Sequence, residues 1–246
     1  MLRSALDGLA SVLFAARCRL CDALLTSATR VPVCAACLGR VRPLELLAFC
    51  ERCQRPLPFV PPSPESPLLC GRCQQGESAF DRLRSFGAYD AELRQLLVLL
   101  KYNGVRPLVG LLGGWLTMVL AQHPAVAEVD ALVPVPLHPR RQRARGFNQA
   151  ELLARELSRS THLPVQSRWL TRIKDTPSQT GLTRAQREQN VRGAFASKAK
   201  LDNRRILLLD DVCTTGATLN ACARTLKRAG AAQVEALTVA RVVKEI

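Results

Sequence analysis

The stretch from Ile206 to Thr218 (ILLLDDVCTTGAT) constrains the fold of this chain more than any other. Four aliphatic residues lead directly into two carboxylates, and a short turn rich in Thr and Gly then opens a helical pattern at Ala217. An unbroken apolar run is typical of a parallel strand that is covered on both faces. Because ligands of open α/β sheets bind at the carboxyl ends of such strands, we expect Asp210 and Asp211 to lie at the mouth of a binding site.

The turn that follows the acids predicts the chemistry of the ligand. Its hydroxyls and backbone N–H groups lie at the start of a helix, where unpaired amides and the positive end of the dipole favour a phosphate. Ionised carboxylates only accept hydrogen bonds, so Asp210 and Asp211 suit sugar hydroxyls. A strand end followed by ordinary helix caps would need one hydroxyl and no pair of acids. The sequence therefore predicts a ribose 5-phosphate site, with the phosphate on Thr214, Thr215, Gly216, Ala217 and Thr218.

A basic segment predicts a second anion site at the same edge of the sheet. Asp130 to Pro136 (DALVPVP) is expected to form a buried strand, and a charged loop, HPRRQRARGFNQ, follows it. Guanidinium groups are suited to bidentate contact with phosphate oxygens. Alone, such a loop would be interpreted as a solvated basic surface, but a phosphoribose site elsewhere in the chain favours a ligand role. The candidate side chains are those of Arg140, Arg141, Arg143 and Arg145.

Four cysteine pairs predict bound metal in the N-terminal part of the chain. Two such pairs complete a tetrahedral zinc site with no open position, so eight thiolates predict two structural Zn²⁺ ions. Iron–sulfur ligation, disulfides or unused thiols fit this regular spacing less well, and metal ligation by Cys is typical of a reducing, cytoplasmic compartment. Spacing alone allows two consecutive ribbons or an interleaved arrangement, and the later Cys213 and Cys222 are interpreted as packing residues. The expected ligands are Cys18, Cys21, Cys34, Cys37, Cys50, Cys53, Cys70 and Cys73.

The chain is expected to divide at the end of the cysteine-rich region. Residues 1–76 are predicted to form an N-terminal amphipathic helix and a double zinc-ribbon domain. The opening apolar run resembles a secretory signal, but Asp7 interrupts it, which favours the amphipathic helix. A polar linker is expected from Gln74 to Asp81. Residues 77–246 are predicted to form an α/β domain, and no apolar run reaches the roughly 20 residues of a membrane span.

Two further segments of the α/β domain bear on the site. Leucines at helical spacing predict a helix that ends near Asn103, where Lys101 is interpreted as a partner of the helix dipole and Tyr102 as a packed ring. The polar segment from Arg172 to Phe195, with a helix expected within residues 182–192, is interpreted as a long mobile hood or else as a disordered surface loop. Its polar residues include Thr176, Gln179, Arg187 and Asn190.

The motif around the two acids closely resembles the phosphoribosyl pyrophosphate (PRPP) motif of type I phosphoribosyltransferases. The resemblance implies that Asp210 and Asp211 hold the ribose hydroxyls, that the Thr-Gly turn holds the 5′-phosphate, and that the basic loop binds pyrophosphate. It also implies Mg²⁺ as the companion of PRPP and a hood that closes over the ligand to exclude water. In an enzyme of this kind the two acids are the catalytic candidates, because they orient the ribose.

The wider pattern resembles the ComF family, whose members are linked to natural competence and DNA utilisation. Its parts are a Cys-pair zinc domain followed by PVPLHPRRQRARGFNQAELLA, by RIKDTPSQTGLTRAQREQNVRGAF and by ILLLDDVCTTGAT, which together extend over nearly the whole chain. The resemblance implies an α/β fold in which a small double zinc ribbon with four-cysteine sites precedes a type I phosphoribosyltransferase-like parallel sheet with flanking helices.

The charge and the resemblance leave two functions open. A formal net charge of +15 favours anionic partners. The first function is PRPP-dependent transfer of phosphoribosyl to a nucleobase-type acceptor with release of pyrophosphate. The second is binding of single-stranded DNA, with PRPP as a ligand or sensor and other competence or DNA-import proteins as partners. An aromatic content of 4% argues against the second, since single-strand grooves rely on stacking rings. A transcription regulator is less favoured, because no helix-turn-helix pattern is present.

Overall fold

The computed structural model describes residues 16–25, 29–44, 48–58, 67–177 and 181–243, so the expected N-terminal helix lies outside the described residues. The strands are β1 (Leu83–Ala88), β2 (Ala131–Pro134), β3 (Thr171–Arg172), β4 (Phe195–Ala196), β5 (Arg205–Cys213) and β6 (Gln233–Arg241). The helices are α1 (Ala35–Leu38), α2 (Gly71–Gln74), α3 (Ala91–Asn103), α4 (Leu108–Gln122), α5 (Pro124–Ala127), α6 (Pro139–Arg145), α7 (Gln149–Thr161), α8 (Arg184–Asn190) and α9 (Ala217–Arg228). None of the helices in these ranges combines the length and the apolarity that a membrane span requires.

A four-stranded parallel sheet forms the centre of the α/β domain, in the order β1-β6-β5-β2. In its middle, Leu208 of β5 lies opposite Val133 of β2 and Ala236 of β6. The aliphatic run from Ile206 to Leu209 is 0% exposed throughout, as a strand covered on both faces must be. The prediction of a parallel sheet with flanking helices is therefore confirmed.

The side chains of β5 alternate between two hydrophobic clusters, one on each face of the sheet. Leu207 and Leu209 belong to the cluster that contains residues of α3, α4 and α7. Ile206 and Leu208 belong to the cluster that contains residues of α9. Because neighbouring strands of a parallel sheet run in the same direction, the carboxyl ends of β2 and β5 lie at one edge, where the predicted binding residues begin.

The stretch expected to be a linker packs onto the α/β domain. The Ala79 N–H donates to Asn220 Oδ1 over 2.8 Å. Asp81 accepts from the Val234 N–H over 2.8 Å and pairs with Lys227 Nζ at 2.8 Å. The linker prediction is wrong for these residues, because their polar groups complete hydrogen bonds of α9 and β6 instead of facing water along a free connection.

The basic segment after β2 forms helix α6 instead of the expected loop. Pro139 occupies the first turn of α6, where a backbone N–H has no partner within the helix, so the lack of an N–H in proline costs no hydrogen bond. The His138 side chain caps this end, since its Nδ1 accepts from the Arg140 N–H over 3.4 Å. Gly146 ends the helix in the left-handed conformation with φ of +79°. The arginines are consequently held on a short regular element.

The polar segment from Arg172 to Phe195 has an ordered base and a short helix. Strands β3 and β4 pair antiparallel, with Arg172 opposite Phe195. Within the range expected to be helical, α8 begins with a capping box in which Thr183 and Gln186 satisfy each other's backbone N–H groups. The described part of this segment is therefore structured, whereas Gln179 lies outside the described residues.

Candidate functional site

The two acids lie at the carboxyl end of β5, in contact with the end of α3 and the start of α7. Lys101 Nζ lies 2.8 Å from Asp211 Oδ2, and Gln149 Nε2 donates to the same oxygen over 3.2 Å. The backbone N–H of Asp211 donates to Asp210 Oδ1 over 2.8 Å. Asp211 is only 6% exposed. The site is thus a pair of largely buried carboxyl groups with one ammonium partner.

Burial and neighbouring charge control the protonation of this acid pair. Burial raises the pKa of Asp210 to about 7, the charge of Asp211 adds to the rise, and Lys101 opposes it. Burial alone would lower the pKa of Lys101, but attraction to Asp211 and to Asp210 raises it above its ordinary value. Lys101 therefore stays charged, and the charge of the acid pair changes near neutral pH. A ligand that requires ionised Asp210 will bind more tightly as the pH rises towards and through 7.

Two buried polar side chains near the acids have atoms without a hydrogen-bond partner among the described residues. These atoms are Gln149 Oε1 and Arg172 Nε. Burial lowers the pKa of Arg172, the nearby Arg141 adds to this effect, and Asp210 acts in the opposite sense. Proteins rarely leave buried polar atoms unpaired, so such atoms are typical of a site that completes its hydrogen bonds with a ligand or with water.

The turn between β5 and α9 has the features of an anion-binding turn. Gly216 adopts a φ of +82°, a conformation that favours glycine. Thr215 Oγ1 accepts from the Ala217 N–H over 3.3 Å. Helix α9 has 12 residues and begins at Ala217, so the positive end of its dipole lies at this turn. The structure thus brings the acids and a helix N-terminus together at one edge of the sheet.

The basic residues at the start of α6 gather around one acid of the polar segment that follows β3. Arg140 Nη1 and Arg141 Nε lie 3.6 and 3.9 Å from the carboxylate of Asp175. His138 Nδ1, which accepts from the Arg140 N–H, lies 3.5 Å from the same carboxylate. The side chain of Arg140 remains 81% exposed, and Arg143 is also exposed. An anionic ligand that approached α6 would therefore meet guanidinium groups whose charge the single carboxylate of Asp175 neutralises only in part.

The end of α3 differs from its interpretation in the sequence. Lys101 pairs with Asp211 instead of serving only the helix dipole, and Tyr102 is 73% exposed instead of packed. The guanidinium carbon of Arg145 lies 5.4 Å from the centroid of the Tyr102 ring. Helical periodicity predicted where this helix ends, but it could not predict which edge of the sheet that end would meet.

The eight N-terminal cysteines form two separate groups of four. Within each group the sulfur atoms all lie within 4.8 Å of one another. Individual sulfur pairs are separated by 3.8 Å (Cys18 and Cys37), 3.7 Å (Cys21 and Cys34) and 3.7 Å (Cys53 and Cys70). Tetrahedral coordination with Zn–S bonds of about 2.3 Å places sulfurs roughly 3.8 Å apart. We call the groups the first ribbon (Cys18, Cys21, Cys34, Cys37) and the second ribbon (Cys50, Cys53, Cys70, Cys73); their arrangement is consecutive, not interleaved.

The chemistry of both ribbons fits a structural metal ion. Burial, and then hydrogen bonds with the neighbouring thiols, raise the pKa of Cys37 to about 12. Metal ligation requires the thiolate, so a bound cation would act in the opposite sense. Each group offers four sulfur ligands, which fills a tetrahedral site and leaves no open position for catalysis. The two groups can therefore hold structural zinc. Cys213 and Cys222 are buried and belong to neither group, which confirms their interpretation as packing residues.

The second ribbon borders the candidate site. Arg72, which lies between two of its ligands, pairs with Glu77 and, at 2.9 Å, with Glu188 of α8. Arg241 at the end of β6 donates from Nη1 to Cys213 Sγ over 3.2 Å. A narrow cleft between the ribbon and the turn is lined by Cys53, Cys70, Cys73, Thr215, Gly216, Asn220 and Arg241, among others. The ribbon, helix α8 and the turn before α9 thus form one contact region.

Several polar residues of the site were not assigned to it from the sequence. Gln149 and Lys101 contact Asp211, Arg172 is buried near Asp210, and Asp175 contacts α6. They come from separate segments, and their proximity depends on how α3, α7 and β3 pack against the sheet. Only Gln149 carried a signal, because it is the last residue of the basic segment HPRRQRARGFNQ that was already assigned to an anion site.

Comparison with known proteins agrees with this geometry. A family model described as "Phosphoribosyl transferase domain" matches residues 144–244. Competence protein F of Haemophilus influenzae is 30% identical over 211 residues, which cover 83% of this chain and 90% of that protein. DNA utilization protein YhgH of Escherichia coli is 32% identical over 212 residues, which cover 85% of this chain and 90% of that protein.

A solved structure is also similar in part. It is a glutamine phosphoribosylpyrophosphate (PRPP) amidotransferase from B. subtilis complexed with ADP and GMP, with 24% sequence identity and a TM-score of 0.37 over 55% of this chain and 26% of that chain. Because this score is low, the fold assignment rests on the family model and on the parallel sheet. With identities of 30% and 32% over more than four fifths of its length, the chain belongs to the family of competence protein F and DNA utilization protein YhgH, the ComF family.

Proposed function

We propose that this chain binds Mg²⁺-PRPP at the carboxyl edge of its parallel sheet. The observation that carries the proposal is the acid pair at the end of β5, directly before the Gly216 turn at the start of α9. Asp210 is half-buried, and Asp211 is buried and contacts Lys101. Carboxylates accept hydrogen bonds from ribose hydroxyls, and a helix N-terminus favours phosphate. A ligand that carries both groups is a phosphorylated ribose, and the matching phosphoribosyl transferase domain supports PRPP.

The proposed contacts divide the ligand among three elements. Asp210 and Asp211 accept from the ribose hydroxyls at the end of β5. Helix α6 binds the pyrophosphate, which would replace Asp175 as the partner of the basic side chains. The proposed pyrophosphate ligands are Arg140, Arg141, Arg143 and Arg145, the four candidates of the basic segment. The proposed 5′-phosphate ligands are Thr214, Thr215, Gly216, Ala217 and Thr218.

The acid pair also fits a magnesium ion. Carboxylate oxygens and phosphate oxygens are the ligands that Mg²⁺ prefers, and Asp210 and Asp211 supply carboxylates from consecutive positions at the end of β5. When bound, Mg²⁺ supplies positive charge that neutralises the pyrophosphate oxygens. Lys101 already provides a fixed positive charge at this position, and the α6 arginines provide more at its rim.

As a transferase, the chain would pass the ribosyl group from pyrophosphate to a nucleobase nitrogen. The nitrogen attacks the anomeric carbon and releases its proton to solvent, while the bond from that carbon to the pyrophosphate oxygen breaks and leaves its electron pair on pyrophosphate. Positive charge then develops on the sugar and negative charge on the leaving pyrophosphate. Asp210 and Asp211 are the proposed catalytic residues, because they orient the ribose beside their own negative charge. The segment that contains α8 would cover the site and exclude water, which could otherwise take the place of the acceptor.

A second function has separate support. Relatives of this chain are named Competence protein F and DNA utilization protein. The exposed side chains of Arg140 and Arg143 also give helix α6 a basic surface. Under this proposal the chain binds single-stranded DNA, uses PRPP as a ligand or sensor, and works with other competence or DNA-import proteins. Cysteines that are arranged for metal ligation, and are not joined in disulfides, favour a reducing, cytoplasmic location. Residues 1–76 and 77–246 are the proposed domains in either case.

Calorimetric titration with Mg²⁺-PRPP tests the proposed ligand. Asp211→Asn removes a charge that Lys101 contacts, and we expect it to weaken binding by at least about ten-fold. Glu128→Gln is the matched control, because Glu128 is an exposed acid that pairs with Arg205 at the opposite, amino edge of the sheet. Unchanged affinity in Asp211→Asn, or no binding by the zinc-loaded wild type, would contradict the proposal.

Pyrophosphate release separates the two functions. The zinc-loaded protein is incubated with Mg²⁺-PRPP and, in separate reactions, with nucleobases or with single-stranded DNA. Release that depends on an acceptor and is lost in Asp210→Ala supports the transferase. PRPP binding without release, together with DNA binding that weakens steeply as salt is added, supports the sensor.

A further inference from the structure

Tyr102 lies at the rim of the candidate site and is open to solvent. It is in the last turn of α3, one residue after the Lys101 that contacts Asp211. Its surface is 73% exposed, and among the large exposed hydrophobic residues of the described ranges it is the only aromatic one. A single exposed apolar side chain does not indicate a site by itself, so the argument depends on what surrounds the ring.

Two reciprocal cation–π contacts join the turn after α3 to the turn after α6. Arg106 of the first turn lies 5.3 Å from the Phe147 ring centroid, and Arg145 at the end of α6 lies 5.4 Å from the Tyr102 ring centroid. Phe147 is only 9% exposed and belongs to the hydrophobic core. Because the buried Phe147 contact already holds the two turns together, the exposed Tyr102 contact is not needed for that purpose.

In the exposed contact, Arg145 restrains the Tyr102 ring from one side. A guanidinium group over a ring restrains it through the attraction of its charge to the ring's electrons, and the large exposed fraction of Tyr102 leaves the remainder of the ring accessible. Exposed aromatic rings and guanidinium planes are the groups on which proteins stack unpaired nucleobases. Exposed Arg140 and Arg143 on the same helix as Arg145 add charge that a phosphodiester would meet.

We infer that Tyr102, which Arg145 restrains from one side, forms a stacking site for a nucleobase ring at the rim of the PRPP site. The inference rests on the proposed function, because it supplies the binding group for the base that the acid pair and the phosphate turn do not provide. A base that stacks here lies next to the residue that contacts Asp211. The ring belongs either to a free nucleobase or to an unpaired nucleotide of single-stranded DNA, and both are recognised by the same stacking chemistry.

The test compares probes that differ only in their bases. Fluorescence anisotropy is measured with a labelled oligothymidine and with an abasic oligonucleotide of the same length, and binding of free nucleobases is measured by equilibrium dialysis. The full-length, zinc-loaded variants are Tyr102→Ala, Tyr102→Phe, which keeps the ring, and Met118→Ala, which removes another exposed apolar side chain on α4.

We expect Tyr102→Ala to weaken binding of a base-containing probe by about ten-fold. Tyr102→Phe and Met118→Ala should stay within about two-fold of the wild type, and the abasic probe should not distinguish Tyr102→Ala from the wild type. An effect with free bases identifies a free acceptor, and an effect with oligothymidine alone identifies a base within a strand. The inference is overturned if Tyr102→Ala binds base-containing probes as the wild type does, if it loses the abasic probe equally, or if Tyr102→Phe loses as much. Calorimetry of the wild type with Mg²⁺-PRPP is an independent readout, so a failure of the PRPP proposal is recognised separately.

Discussion

The two ribbons share their cysteine spacing and their metal chemistry, but they meet the rest of the molecule differently. Cys18 and Cys37 of the first ribbon belong to the large hydrophobic cluster that covers one face of the sheet. The buried cysteines of the second ribbon form a small cluster of their own, and Arg72 connects that ribbon to Glu188 of α8. The first ribbon is thus part of the folding core, whereas the second is part of the wall of the candidate site.

This difference shows that the role of a structural metal ion depends on what the ribbon that binds it contacts. Beside the first ribbon, Arg40 pairs with Glu92 of α3, and the Leu44 N–H donates to the Phe86 carbonyl over 2.6 Å. The second ribbon also contacts the sheet, since the Leu83 N–H of β1 donates to the Arg52 carbonyl over 2.7 Å. Unlike the first ribbon, it in addition borders the turn before α9 and contacts helix α8. Loss of the first metal should therefore be measured mainly as lost stability, and loss of the second mainly as lost ligand binding.

The largest expected effect is on stability, from Cys37→Ser in the first ribbon. The variant should bind one zinc fewer than the wild type and should lose about 4 kcal/mol of unfolding free energy, because an open coordination site then lies inside the core. Metal analysis and urea denaturation measure both quantities. If Cys73→Ser in the second ribbon were destabilised as much as Cys37→Ser or more, the proposed division of roles would be wrong.

A substitution in the acid pair is expected to increase the free energy of unfolding. The folded pKa of Asp210, about 7, lies above the roughly 3.9 of an unfolded Asp, so ionisation of this group costs stability as the pH rises from 4 through 7. Asp210→Asn cannot ionise and should be more stable than the wild type by about 2 kcal/mol at pH 8. The gain should be smaller at pH 5, where folded Asp210 is protonated. Thermal denaturation at both pH values tests this, and a larger gain at pH 5 would refute it.

The third effect is on ligand binding, from Cys73→Ser in the second ribbon. Loss of this metal should weaken Mg²⁺-PRPP binding by about ten-fold, because displacement of the ribbon disturbs the turn at Gly216 and the contact with α8. Calorimetry below the melting temperature is the measurement. Folded Cys37→Ser should keep nearly the affinity of the wild type, and an equal loss in both variants would show that the ribbons do not differ in this respect.

The smallest effect isolates one ion pair in each ribbon. Arg72→Ala removes the contact with Glu188 and should weaken Mg²⁺-PRPP binding by about three-fold, a loss within the range of partly exposed ion pairs. Arg40→Ala removes the comparable contact with Glu92 beside the first ribbon and should leave the affinity unchanged. A larger loss in Arg40→Ala than in Arg72→Ala would reverse the comparison.

The parts of the fold that follow local patterns could be predicted from the sequence. The apolar run before Asp210 predicted a buried parallel strand, and the Cys pairs predicted two four-thiolate groups, although their spacing left the pairing open. Helix α6 was expected to be a loop, because a seven-residue basic segment has little periodicity and its helix depends on Pro139 and on the His138 cap.

The residues that could not be predicted are those placed by packing. Lys101 and Tyr102 are neighbours in sequence, yet one contacts a buried carboxylate and the other faces solvent. Their roles depend on the angle at which α3 meets the sheet, which no local pattern specifies. The second ribbon's contact with α8 is likewise a contact between residues 116 positions apart in the chain.

The central claim is that the turn after the acid pair binds the phosphate of PRPP, and amide hydrogen exchange tests it directly. Exchange of residues 214–218 is compared in the zinc-loaded protein with and without saturating Mg²⁺-PRPP. The account predicts that PRPP slows exchange at the start of α9, because phosphate oxygens accept hydrogen bonds from backbone N–H groups at a helix N-terminus. The predicted protection should be lost in Asp211→Asn at the same ligand concentration. Protection elsewhere in the chain with no change at residues 214–218 would contradict the account.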